Sequence, residues 1–154
     1  MDDPVGLRIV GDITISEQDL IAERITKTLD VKQVKDRRIH DSNGYRALHI
    51  IARTELIHIE IQIGTILQDE WAFMFERLAD TWGRQIRYGD PPEFQNEKSA
   101  SERIEMVSRI ILYSLGEIAE FEKSYAQVNP DETNRQRELV AGILKLESQA
   151  REIS

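Results

Sequence analysis

Side chains able to do acid–base or metal chemistry alternate with isoleucine in the segment 57–63. Isoleucine occupies every second position there, and His58, Glu60 and Gln62 occupy the positions between. A period of two is typical of a β-strand with one face in the core. The segment therefore predicts a strand whose other face presents an imidazole, a carboxylate and an amide.

A second strand is predicted just upstream, from Tyr45 to about residue 52, because this run is rich in strand-forming residues. Alternation places Tyr45, Ala47 and His49 on one side of it. Only a few residues around Thr54-Glu55 separate the two runs, which predicts a tight antiparallel hairpin, although its turn lacks Gly, Asn and Asp. Such a hairpin would bring His49 close to Glu60 as a directly opposed or diagonal pair.

These residue types have the chemistry that a nucleotide site needs. A tyrosine can stack on a base, Gln or Asn can bond to its edge, and Glu60 can hold Mg²⁺ or accept a proton from a sugar hydroxyl. A half-exposed antiparallel sheet also presents polar residues to water without any site, so the pattern alone leaves both interpretations open.

The net charge and the local distribution of charge indicate which kinds of ligand the protein could bind. The net charge of −8 argues against a protein that coats nucleic acid, which would need clustered Lys and Arg. A local basic stretch between Lys32 and Arg46 suits a small polyphosphate, or forms a solvated loop.

Composition predicts a globular protein, with 154 residues, 40% hydrophobic and 31% charged. The chain has no cysteine, which excludes disulfides and thiolate metal sites. No apolar run is long enough to cross a membrane, and residues 1–4 do not resemble a signal peptide. We therefore expect a cytoplasmic protein that does not engage membranes.

Further elements must hold the hairpin in place. Residues 7–10 predict a buried strand and residues 31–35 a weaker one. Ser16, followed by acidic residues, predicts a helix N-cap. Further helices are predicted over 65–82, about 98–127 and about 132–151. Strands followed by paired helices predict an α+β fold with a mixed, mainly antiparallel sheet, flanking helices and a C-terminal helical hairpin.

The helices from Lys98 onward carry no catalytic signal. Their apolar stripes predict packing either on each other, as a closed hairpin, or on a second subunit. A homo-oligomer formed through these helices is our expectation.

Four stretches, in this order, resemble motifs of the RelA/SpoT synthetase family. The stretch 3–8 is similar to its Asp-x-x-Gly-x-Arg strand, and 43–49 to its Asn-Gly-Tyr-Arg-x-x-His segment. The stretch 60–65 is similar to its Glu-x-Gln-x-Arg-Thr strand end, and 68–72 to the opening of the next helix. The loop at 36–38 and the stretch 78–89 resemble the small single-domain branch, which includes alarmone synthetases and toxins that pyrophosphorylate the tRNA 3′ end.

The resemblance implies a fold and a division of the chain. The expected fold is the nucleotidyltransferase-like one of RelA/SpoT synthetases. Residues 1–92 would form the pyrophosphotransferase domain and residues 93–154 a helical extension.

The resemblance also implies an activity, the Mg²⁺-dependent transfer of pyrophosphate from ATP to the 3′-OH of GDP or GTP. Asp3 and Glu60 would be the catalytic, Mg²⁺-binding carboxylates. The residues expected around the acceptor nucleotide are Tyr45, Asn43, His49, Gln62, Arg46 and Arg8. Alternatives are tRNA as the acceptor, and an inactive remnant that binds nucleotide or a partner protein.

The resemblance further implies that the cation-rich part that binds ATP lies upstream of the stretch 3–8. Only Met1 and Asp2 precede that stretch, and Gly64 stands where the family usually has Arg. We therefore expect the ATP-binding half to be incomplete in this chain.

Overall fold

A four-stranded sheet with helices around it forms the protein. The computed structural model describes residues 5–39, 43–94, 96–124 and 130–153. The strands are β1 (Val5–Gly11), β2 (Asp30–Asp36), β3 (Leu48–Arg53) and β4 (His58–Thr65). The α-helices are α1 (Ile15–Thr28), α2 (Ile66–Trp82), α3 (Glu97–Tyr113), α4 (Ala119–Ser124) and α5 (Pro130–Glu152), with a 3-10 helix over Arg84–Tyr88 and a π-helical turn over Ser114–Ile118.

The strands are ordered β1-β4-β3-β2. β3 pairs antiparallel with both β2 and β4, while β1 pairs parallel with β4. The mixed, mainly antiparallel sheet and the α+β class are therefore confirmed. The predicted hairpin is also confirmed, and the predicted strands at 7–10 and 31–35 are β1 and β2. The prediction that the first of them is buried is wrong, because β1 is an edge strand of the sheet and Leu7 and Ile9 are 51% and 37% exposed.

The turn of this hairpin explains how it forms without Gly, Asn or Asp. The Thr54 hydroxyl accepts hydrogen bonds from the backbone amides of Leu56 at 3.3 Å and Ile57 at 3.1 Å. A threonine side chain thus replaces part of the backbone turn, as Ser and Thr do in ST-turns.

The isoleucine face of the hairpin packs under α1, as the alternation predicts. Ile50, Ile61 and Ile63 are buried there together with Leu48 and Ala22. Burying a branched aliphatic side chain contributes about 1.5–3 kcal/mol to the free energy of folding. This apolar layer therefore determines which face of the sheet packs against α1 and which face stays open.

A second core joins α2 to the helices that follow it. It contains Trp71 and Trp82 from α2, Ile110 from α3, and Leu139 and Ile143 from α5. The C-terminal helices thus pack on each other and on α2, which favours the closed intramolecular arrangement. The division at residue 92 and the homo-oligomer stay predictions.

Capping boxes define the starts of two helices. α2 begins after Thr65, whose hydroxyl accepts from the Gln68 amide in a capping box, so the predicted helix over 65–82 is confirmed. The predicted cap at Ser16 is wrong. Thr14 caps α1, because Glu17 lies three residues beyond it and completes a second capping box.

The long predicted helix from 98 is interrupted. α3 ends at Tyr113, and a π-helical turn leads into α4, which ends at Ser124. Gln127, the predicted end, lies outside the described residues. Within the described ranges, no helix combines the length and the apolar character needed to span a membrane.

Candidate active site

The open face of the hairpin brings His49 and Glu60 together. In the β3–β4 register His49 lies opposite Gln62, and Glu60 lies opposite Ile51, so His49 and Glu60 are diagonal neighbours. Nδ1 of His49 is 2.6 Å from Oε1 of Glu60. The predicted proximity of the two side chains is confirmed.

Tyr45 extends this pair into a chain of three side chains. Its hydroxyl is 2.8 Å from Nε2 of His49, and the two rings meet edge to face at an interplanar angle of 82°. Because the Glu60 carboxylate only accepts, the hydrogen-bond pattern assigns the ring proton to Nδ1. Nε2 then accepts from the Tyr45 hydroxyl.

The surroundings of His49 and Tyr45 favour the uncharged form of both side chains. Burial lowers the pKa of His49, and the hydrogen bond to Glu60 opposes that shift. Burial raises the pKa of Tyr45 to about 12. The imidazole is therefore neutral at pH 7, as its place between a donor and an acceptor requires.

The three residues line a cavity of about 620 Å³ between the sheet and α2. This volume is in the range of small-molecule sites. The other lining residues are Asn43 and Gln62, the cations Arg8, Lys35, Arg37 and Arg87, the acid Glu76, and Trp71, Ala72, Phe75 and Tyr88.

Cations outnumber acids in the cavity wall. Four cationic side chains lie there against the two carboxylates Glu60 and Glu76. Arg37 lies 5.9 Å from the centroid of the Tyr45 ring. An excess of positive charge beside an aromatic ring suits a ligand with both phosphate and a flat apolar group.

Arg8 and Asn43 line the cavity and also form hydrogen bonds between the elements that surround it. Arg8 donates to Asp69 of α2 at 3.2 Å, which ties β1 to that helix. The Asn43 amide donates to the Arg87 carbonyl, and its oxygen accepts from the Tyr45 backbone amide at 3.4 Å. Asn43 thus joins the loop before β3 to the 3-10 helix.

Arg46 does not line this cavity. It is 6% exposed, and its Nη1 donates to Oε2 of Glu122 at 2.5 Å. The strand predicted from Tyr45 begins only at Leu48, so residues 45–47 form an irregular segment in which Tyr45 faces the cavity and Arg46 faces Glu122. Of the residues expected around the acceptor, the structure brings together Tyr45, Asn43, His49, Gln62 and Arg8.

Asp3, the other expected catalytic and metal-binding residue, lies outside the described residues. Within the part of the chain that is described, no cluster of three or more His, Asp or Glu side chains could hold a metal ion. Mg²⁺ is often bound by one or two carboxylates together with substrate phosphates. Glu60, set in a cavity suited to phosphate, fits that mode of binding.

Sequence reasoning missed several cavity residues as site residues. Lys35 and Arg37 belong to the basic stretch, so charge clustering already pointed to them. Glu76 and Phe75 lie on α2, which the sequence predicts from its apolar residues. Phe75 is 4% exposed and counted only as one of those core residues, and Glu76 carried no signal of its own. Arg87 and Tyr88 lie on the 3-10 helix, for which the sequence carries no periodic signal.

Comparison with known proteins identifies the family. Residues 1–79 match the sequence profile of the region found in RelA/SpoT proteins. Uncharacterized proteins of Mycobacterium tuberculosis and Mycobacterium bovis are 42% identical over 95 residues, which is 60% of this chain and 35% of theirs. The chain thus spans about a third of the length of these relatives.

Two solved structures share the fold. Small alarmone synthetase 1 of Bacillus subtilis, bound to its product pppGpp, has a TM-score of 0.50 and 21% identity, covering 79% of this chain and 63% of that one. A second structure of that synthetase has a TM-score of 0.51 and 20% identity, covering 77% and 62%. The matching profile spans half of the sequence, and the chain belongs to the RelA/SpoT family.

Proposed function

We propose that this chain provides the acceptor site of an ATP-dependent pyrophosphotransferase, with GDP or GTP as the acceptor and a 3′-pyrophosphorylated guanosine nucleotide as the product. The Tyr45–His49–Glu60 chain in a cation-rich cavity is the observation that carries the proposal. Family membership supports the same class of reaction.

Glu60 would act as the general base. The ribose 3′-oxygen attacks the β-phosphorus of ATP, the bond from that phosphorus to the α,β-bridging oxygen breaks, and AMP leaves. The 3′-hydroxyl proton passes to the Glu60 carboxylate. His49 donates to Oε1 of Glu60 and so orients this carboxylate toward the acceptor.

Tyr45 and the cations would bind the acceptor. The Tyr45 hydroxyl is held by His49, which fixes the ring as a platform on which a base can stack. Lys35 and Arg37, on and just after β2, lie at the same cavity and would neutralise the acceptor's phosphates. Phosphoryl transfer depends mostly on positioning and charge neutralisation, so these contacts are what the reaction requires.

Glu60 and, by its sequence motif, Asp3 would hold Mg²⁺. When bound, the ion neutralises charge on the pyrophosphate being transferred. A role of Glu60 in holding the ion is compatible with its role as base, because a carboxylate has two oxygens.

A labelled-transfer assay tests the proposal. Purified protein is incubated with γ-labelled ATP and Mg²⁺, and GDP, GTP and tRNA are offered separately. Label on GDP or GTP supports the proposal, and label on tRNA alone replaces it with a tRNA-modifying activity. Guanine nucleotide binding without transfer would favour the inactive remnant.

A further inference from the structure

The two residues that flank Tyr45 are both bonded to the C-terminal part of the chain, one through its backbone and the other through its side chain. Before it, the Ser114 hydroxyl donates to the Gly44 carbonyl at 2.6 Å. After it, Arg46 donates to Glu122 at 2.5 Å. Ser114 and Glu122 are 2% and 5% exposed, so both contacts lie in the interior.

Glu122 also binds the start of α2. Its Oε1 accepts from the Thr65 hydroxyl at 2.5 Å, and its Oε2 accepts from the side-chain amide of Gln68 at 3.2 Å. α2 carries Trp71 and Glu76, which form the cavity wall that faces the sheet. One buried carboxylate therefore holds both the segment with Tyr45 and the opposite wall.

These contacts belong to a closed ring of hydrogen bonds. Gln68 accepts from Gln18 at 3.0 Å, and Gln18 accepts from Arg38 at 3.2 Å. The Arg38 carbonyl accepts from Nε of Arg46 at 3.4 Å, which returns the ring to Glu122. The ring of hydrogen bonds thus includes Arg38, and the preceding residue, Arg37, is one of the cations that line the cavity.

The local helix geometry supports a specific purpose for these contacts. Ser114 opens a π-helical turn between α3 and α4. Such turns are rare in helices and are frequent at functional sites. Here the turn lies where the hydroxyl reaches the Gly44 carbonyl.

We propose that Glu122 and Ser114 are positioning residues, which set the place of the Tyr45 platform relative to α2 and make the C-terminal helices part of the acceptor site. The importance of that placement for nucleotide binding rests on the proposed function. Glutamine is a poor replacement for Glu122. It removes the negative charge that pairs with Arg46, and its amide nitrogen could be accommodated only at Thr65, whose hydroxyl would have to accept instead of donate.

An ion pair between helices can also be a purely stabilising contact. The chain offers a comparison pair, whose arginine side chain is 43% exposed against 7% for Arg46. Arg77 of α2 donates to Glu147 of α5 at 2.7 Å, and Glu147 is 9% exposed. Neither residue lines the 620 Å³ cavity. Glu147→Gln therefore reports what is lost when such a pair is broken away from the site.

The experiment compares Glu122→Gln, Ser114→Ala and Glu147→Gln with the wild-type protein. Hydrogen–deuterium exchange is followed in peptides that cover 43–50, GDP affinity is measured by calorimetry, and thermal unfolding controls for stability. Ser114→Ala removes one hydroxyl, so it tests the same platform if Glu122→Gln does not fold.

Positioning predicts faster exchange in 43–50 for the two site variants and GDP affinity weakened by roughly 10- to 100-fold. Glu147→Gln would leave both the exchange rate in 43–50 and the GDP affinity unchanged, even if its melting temperature falls. The proposal is overturned if the folded site variants keep wild-type exchange in this segment. A wild-type protein that binds no guanine nucleotide would overturn the proposed function, while the exchange comparison still decides the positioning.

Discussion

Glu60 Oε1 and His49 Nδ1 are separated by 2.6 Å, and the two residues form a diagonal pair across β3 and β4. Both residues lie in strands whose opposite face is buried against α1. The hydrogen bond orients the carboxylate in the absence of a ligand, which would favour proton transfer from an acceptor hydroxyl if Glu60 acts as the proposed base.

The pKa of His49 should depend on Glu60. Burial lowers this pKa below its ordinary value and the Glu60 carboxylate raises it, so Glu60→Gln should lower it further. NMR titration of the His49 ring in metal-free buffer measures the shift. An unchanged or higher pKa in the variant would contradict the hydrogen-bond assignment.

The same shift makes folding stability depend on pH. Unfolded His49 titrates near its ordinary value of about 6.5, while the folded protein binds the proton less readily. The stabilisation is therefore present above about pH 6.5 and is lost as the pH falls toward the folded value.

Two substitutions of Tyr45 should separate stacking from hydrogen bonding. Tyr45→Phe keeps the ring but loses the hydrogen bond to His49. The net free-energy contribution of one such hydrogen bond is about 0.5–1.5 kcal/mol. Tyr45→Leu also removes the aromatic face, which contributes about 1–3 kcal/mol per stacked base. Calorimetry with GDP should find the leucine variant weaker, and equal losses would argue against stacking.

Lys35→Gln should weaken binding of GDP, because Lys35 lies at the cavity wall. Lys32→Gln is the matched control, since Lys32 lies on the same strand and pairs with Asp30 at 2.7 Å. Calorimetry at low and moderate salt should show a smaller salt dependence only for Lys35→Gln. Equal behaviour of the two variants would contradict the placement of the phosphates.

Gly44→Ala should destabilise the protein by roughly 2–5 kcal/mol. Gly44 has a φ of +84°, and a Cβ there would lie 2.7 Å from the Trp71 ring. Gly89 has a φ of +87° but open space around it, so Gly89→Ala should lose only about 1–2 kcal/mol. Urea unfolding measures both, and equal losses would mean that the contact with Trp71 contributes nothing.

The hairpin and the contact between His49 and Glu60 could be predicted from the sequence because they rest on local order. A period of two and a short connection were enough to place His49 beside Glu60. The helix over 65–82 could likewise be predicted from the spacing of its apolar residues, and it is α2. These signals need no knowledge of distant parts of the chain.

The other walls of the site depend on contacts between distant segments. Arg46 and Glu122 are 76 residues apart, and no local pattern indicates that they pair. Arg46 belongs to a motif with Tyr45, so sequence reasoning assigned it to the ligand, whereas the fold uses it to hold the loop. The Ser16 cap failed for a different reason, since Thr14 offered a better partner in Glu17.

The central claim is that the Glu60 carboxylate takes the proton of an acceptor hydroxyl during pyrophosphate transfer. The most direct test compares transfer of label from γ-labelled ATP to GDP or GTP by wild type, Glu60→Gln and Glu55→Gln, where Glu55 is an exposed acid in the same hairpin turn. We expect Glu60→Gln to lose about 10²–10⁴-fold in rate with its melting temperature preserved, and Glu55→Gln to match wild type. Full activity in a folded Glu60→Gln variant would contradict the claim.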